Sequence, residues 1–200
     1  RDFSYSVCAM EKNNIAIAFK EAVAISKKMG FTSYTGESVY RGIVDSYPFH
    51  PSIKDLYARF KENQNFQKTR GLIRLMRQIV REFYESGQAK KQYLIHVFDV
   101  NLNNHTLMSQ FRQINSALEE AISHDIAQDE QSVAETIDRE RGDGKDYAQR
   151  LAKLLLVSSL STATHAVHGL TESECLGILS GPGMDMNVLK AAFEELKNQC

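Results

Sequence analysis

Apolar residues recur at three- and four-residue spacings through most of this chain, with few breakers between them, and that period commits it to helices. Ile15, Ala18, Phe19, Ala22, Val23 and Ile25 trace one face of a helix over 14–29, and Gly30 stands where a helix closes in the left-handed conformation. Leu72, Leu75, Met76, Ile79, Val80 and Phe83 trace a second, from about Phe66 or Thr69 to Tyr84. Leu107, Phe111, Ile114, Leu118 and Ile122 define a third over 106–123, and Leu151, Leu154, Leu155, Val157 and Leu160 a fourth over 146–164. Start signals agree with this pattern. Ser132 with Glu135 and Thr171 with Glu174 have the spacing of capping boxes, Ser52 with Asp55 resembles one, and Asp185 can cap a last helix to about Asn198. Only three prolines and eleven glycines interrupt the chain.

Between the helices, Phe31 to Gly36 reads as a turn-rich loop, and Gly142-Asp143-Gly144 and Gly181-Pro182-Gly183 as breaks. Tyr47-Pro48-Phe49-His50-Pro51 reads as a rigid, non-helical elbow, because proline fixes its own φ and pushes the preceding residue toward extended geometry. Tyr93 to Val100 is the best strand candidate, being rich in aromatic and β-branched residues. The expected fold is therefore mainly α with at most a few short strands. It divides into a helical part over 1–92 and a second mainly helical part over 93–200. The second part closes in a helix, tight turn and helix that suit a helix-turn-helix unit; a winged-helix form would need a β-hairpin beyond residue 200.

Hydrophobic residues at 42% and charged residues at 24% place the chain among folded globular proteins, and no apolar run reaches the roughly 18 residues of a membrane span. A net charge of -1 hides two opposite halves. Bases outnumber acids ten to four from Lys54 to Lys91, and acids outnumber bases eleven to four from Asp99 to Asp146. Cys8, Cys175 and Cys200 form no CxxC pair, which points to reduced thiols and a cytoplasmic setting. An opening Arg1 in place of Met suggests an excised fragment.

The catalytic inventory is thin. Gly144-Lys145 fails as a phosphate-cradling loop, since Arg139 stands where the first glycine belongs and Asp146 where Ser or Thr should follow. His165 and His168 share a helix face at i, i+3, but two imidazoles are not a metal site. His50, His96 and Cys175 are better explained by packing or turn chemistry than by nucleophilic catalysis. The informative feature is a stripe of Arg70, Arg74, Arg77 and Arg81 opposite the apolar face of the second helix. Guanidinium forks suit phosphate oxygens. The same stripe also suits a solvated helix that pairs with the acidic half of its own chain. On the last helix Met186, Asn187, Lys190, Glu194 and Lys197 are the candidate outward residues, a mixed set rather than a basic one.

Two words carry more than composition: Ser46-Tyr47-Pro48-Phe49-His50-Pro51 and Phe66-Gln67-Lys68-Thr69-Arg70-Gly71-Leu72-Ile73-Arg74-Leu75-Met76. Separated by a short helix, they resemble the signature of a family of large bacterial and archaeal AAA-type ATPases of unknown function, encoded near phage-defence and restriction-modification operons. The likeness covers about residues 36–200. It implies a helical lid followed by a winged-helix-like domain, with ATP and Mg²⁺ held by a P-loop core domain elsewhere in the parent protein and neither bound by this fragment alone. It also implies that Arg70, and next Arg74, sense the nucleotide phosphates, and that no residue here is itself catalytic. The competing reading is a non-enzymatic module in which Arg77, Arg81 and Lys190 contact DNA or a partner protein. Whether the unit assembles with copies of itself stays open, and no membrane partner is expected.

Overall fold

The computed structural model describes residues 2–58, 68–114, 116, 118–159 and 169–200. Among them the chain is mainly helical, with ten α-helices and no sheet. The first, α1 (Asp2–Lys28), extends well N-terminal of the apolar pattern, and Gly30 follows it at φ +81°. Antiparallel to it runs α2 (Gly36–Ser46), capped by the Thr35 side chain, which accepts from the Ser38 N–H. The sequence pattern assigns no element to 37–46, since only Val39 and Ile43 mark a buried stripe there. Short α3 (Ser52–Ala58) follows the elbow, and α4 (Lys68–Glu85) carries the arginines.

A single 3₁₀ turn (Gln88–Lys90) then leads into 93–102, where expectation and structure part. This run is not a strand. Its one bridge is a parallel pairing of Ile95 with Phe49: Ile95 N–H donates to the Pro48 carbonyl at 2.9 Å, and His50 N–H donates to the Ile95 carbonyl at 2.8 Å. Leu94, Ile95, Val97, Phe98, Val100 and Leu102 are all buried, so the apolar run reports burial on several sides rather than a place in a sheet.

Beyond it lie α5 (His105–Ile114), α6 (Leu118–Ala121), a π-helical turn (Ile122–Ile126), α7 (Val133–Arg141), α8 (Tyr147–Ser159), α9 (Glu172–Leu179) and α10 (Met186–Gln199). The single helix expected over 106–123 is thus broken near Ser116, which sits in a turn, as suits a residue whose hydroxyl competes for backbone groups. Both capping boxes at Ser132/Glu135 and Thr171/Glu174 form as their spacing predicts, and Asp185 accepts from the N–H groups of Asn187 and Val188. Ser52 is not the expected cap; its hydroxyl and N–H face the His50 ring instead.

Two buried clusters result. The larger joins α3, α4, 95–102, α5 and α7 to α10, with Phe111, Leu107, Leu151 and Leu154 fully enclosed. The smaller lies between α1 and α2 and includes Leu94. Leu94 and Ile95 therefore point into different clusters, as adjacent residues of an extended chain must. No helix among the described residues is long and apolar enough to cross a membrane.

Where α2 meets the elbow, a Cβ on Gly42 would stand 2.6 Å from Cγ and 2.9 Å from Cβ of Pro51, a rigid ring that cannot swing aside. Gly42→Ala is therefore expected to cost about 2 kcal/mol by overpacking, read as a lowered urea midpoint at unchanged slope. An unaltered midpoint would mean that α2 and the elbow separate freely.

Candidate functional site

The arginine stripe keeps its expected place. Arg74, Arg77 and Arg81 are exposed on α4, opposite buried Leu75, Ile79 and Phe83. Arg70 lies in the first turn of the same helix, and its side chain falls outside the described residues. Among the described residues, no arginine of this helix pairs with the acidic half. Arg81 pairs with Glu85 one turn on, at 2.8 Å, and among the described residues neither Arg74 nor Arg77 has a carboxylate at ion-pair distance. Exposed Ile73 and Tyr84 flank the stripe.

Lys190 is not brought to this face. It stands on α10, which packs on α7, α8 and α9, and pairs with Glu172 at 3.4 Å, whereas α4 packs on α5 and the 3₁₀ turn. Met186, expected to point outward, is buried against the Ser180 hydroxyl, because the turn at 181–185 folds the first residue of α10 back onto α9. His165 and His168 lie outside the described residues. Among the described residues no three His, Cys, Asp or Glu side chains converge as metal ligands. Cys175 is buried and Cys200 exposed, both unbridged, and burial pushes the Cys175 thiol up to about 12, far from a thiolate.

A second arrangement brings together residues from four elements. The His50 and His96 rings stack at 4.8 Å, His96 stacks on Phe98 at 4.7 Å, and the Arg150 guanidinium of α8 caps Phe98 at 5.1 Å. Phe19 of α1 leans on both histidines. Ser52 offers its N–H and hydroxyl to His50 Nδ1, while His50 Nε2 and His96 Nδ1 are buried without a partner. Burial holds the His50 pKa down at about 4. Burial, then the neighbouring His50 and Arg150, lowers His96 well below the usual histidine range. Both rings are neutral plates near pH 7. Sequence reasoning placed each histidine correctly as a packing residue but missed the column. The rings meet because 96–99 forms a tight turn, with the Asp99 N–H donating to the His96 carbonyl at 3.2 Å, and the spacing of His96 and Phe98 does not announce that turn.

The column's Phe98–Arg150 end forms the wall of a cleft of about 290 Å³ between the end of α4 and α8, lined also by Glu82, Ser86, Lys91, Asp99, Asp146 and Lys153. Asp99 accepts from the His96 N–H at 2.6 Å and from Gln92 at 2.5 Å, yet its burial dominates and raises its pKa to about 6. Its His50 end borders a separate cavity of about 320 Å³ with Tyr34, Ser52, Asp55 and Glu174.

With this geometry in view, the family model for the DUF499 second domain matches residues 7–172. The chain belongs to the DUF499 family. That is a large family of unknown function, and the matched DUF499 unit contains α1 to α8, the arginine stripe, the ring column and the cleft. No curated protein and no solved structure matches this DUF499 chain.

Asp99 and the histidines give acid titration opposite signs. The folded protein holds the Asp99 proton up to about pH 6, while the unfolded chain releases it near pH 4, so Asp99's contribution to stability falls as pH rises through that window. The unfolded chain protonates its histidines below about pH 6.5 while folded His50 resists to about 4, so that contribution is lost as pH falls. Asp99→Asn, which keeps an acceptor for the His96 N–H, is expected to raise the urea midpoint at about pH 7.5 and to lose that advantage by about pH 4. A gain of equal size at both pH values would rule out titration as its source. His96→Phe is expected to flatten the loss of stability between about pH 6.5 and 4.5.

Proposed function

We propose that this chain is the helical regulatory unit of an AAA-type, ATP-binding P-loop ATPase serving a phage-defence or DNA-processing system. In that reading α4 presents its arginines to the phosphates of ATP and Mg²⁺ held on another domain. The observation that supports it is the exposure of Arg74 and Arg77 without ion-pair partners among the described residues, on the helix that carries the Thr69-Arg70-Gly71 word. Guanidinium groups left in solvent on one face are available to a phosphate that arrives from outside the fold. Arg70 in the first turn is the primary sensor and Arg74, one turn on, the second, stabilising charge that develops on the transferred phosphoryl group. The unit brings no P-loop of its own, so hydrolysis belongs to the protein that joins it to a P-loop core domain.

A second reading is favoured by exposed Tyr84 beside Arg81 and exposed Tyr93 beside Lys90 and Lys91. Basic groups that follow a phosphate backbone, with aromatic rings beside them, suit nucleic acid, and Arg77 and Arg81 rather than Lys190 would then be the contacts.

The two readings separate cleanly. In the full-length protein, Arg70→Ala or Arg74→Ala is expected to lower the steady-state ATPase rate roughly 100-fold with the fold intact by circular dichroism, while Arg81→Ala leaves it near wild type. Unchanged rates in the Arg70 and Arg74 variants, together with DNA binding that weakens steeply with salt and with Arg77→Ala, would replace the nucleotide reading by the nucleic-acid one.

A further inference from the structure

The cleft between the end of α4 and α8 has an imbalance that the fold itself does not resolve. Each of its three carboxylates already has a partner: Asp146 is ion-paired with Arg150 at 2.7 Å, Asp99 accepts from the His96 N–H and Gln92, and Glu82 accepts from Asn104. Its ammonium groups have none. Lys153, set deep in the cleft on α8, and Lys91, at its rim, have no carboxylate at ion-pair distance among the described residues and donate no hydrogen bond to one. Two ammonium groups that share one cleft without a carboxylate in contact are open to an anion that enters it.

The walls narrow the choice. Two rings line the cleft: Phe83 is buried, and the two faces of Phe98 are taken by His96 and by the Arg150 guanidinium, so neither offers a free face to an arriving base. Glu82 and Asp99 put carboxylate oxygens in the lining that a ligand hydroxyl could meet. The volume, about 290 Å³, lies at the small end of ligand cavities. We propose that this cleft binds the phosphate group of a small, non-aromatic phosphate ester, or phosphate itself, between Lys153 and Lys91. The site is separate from the nucleotide-facing arginines, because Arg70 and Glu82 stand about 18 Å apart along the axis of α4.

The test is calorimetric titration of the whole chain with two probes, inorganic phosphate and ribose 5-phosphate, on wild type and on Lys153→Met, Lys91→Ala and Arg74→Ala. Saturable binding of either probe is expected, weakened roughly tenfold or more by Lys153→Met and by Lys91→Ala and unaffected by Arg74→Ala. Tighter binding of ribose 5-phosphate identifies a hydroxylated ester as the ligand, and equal affinity identifies free phosphate. Lys91→Ala changes an exposed rim residue, so it reads the site even if the buried substitution disturbs folding. No saturable binding of either probe, or binding that survives both lysine substitutions, overturns the proposal.

Discussion

Ile95 gives both of its backbone groups to the Pro48–His50 segment, and most of the tertiary arrangement hangs on that exchange. A chain of helices has no sheet to register its parts, so something else must fix where the first two helices sit against the rest. Here a single bridge does so inside an apolar surround, where an unpaired N–H or carbonyl would be expensive. It places Leu94 against α1 and α2 and Ile95 against the larger cluster. It also brings His50 and His96 face to face, and so determines the ring column. The loop after α1 adds a second tie where the Thr32 hydroxyl donates to the Ser173 carbonyl at 2.9 Å, fastening α9 to the same region.

Around the cleft, polar groups are settled in a hierarchy. Glu135 is bound by the Gln128 N–H, Asn103 and Ser132, and these bonds outweigh its burial to hold its pKa down at about 2. Asp138 receives the Ala148 and Gln149 N–H groups at the start of α8. Those two buried acids therefore do structural work, one closing the start of α7 and the other that of α8. Burial pushes Asp138, Asp99 and Lys153 toward their neutral forms, but the two acids each accept hydrogen bonds while Lys153 has no carboxylate at ion-pair distance among the described residues. The difference separates carboxylates that build the scaffold from an ammonium left available to something outside it.

Much of the helical framework is legible in the sequence because helix ends are local chemistry. Ser132, Thr171 and Asp185 announce their helices by side-chain bonds that reach only two or three residues ahead, and Gly30 needs no distant partner to close α1. What is not legible depends on contacts far away in the chain. Gly36–Ser46 shows too short an apolar stripe to stand out, and its burial against α1 makes it a helix. Tyr93–Val100 has the composition of a strand, but a strand needs neighbours, and among the described residues only Phe49 comes alongside. The arginine stripe was readable as a pattern of period 3.6, whereas the cleft draws on α4, the 3₁₀ turn, 98–101 and α8, and no single window of sequence contains it.

The ring column has a spatial consequence. His50 borders one cavity while Phe98 and Arg150 border another, so the two hollows share a partition made of flat side chains stacked face to face like books on a shelf. Arg150, Phe98, His96 and His50 follow one another in contact across that partition. Two chambers that look unconnected from the surface are thereby neighbours through a common wall.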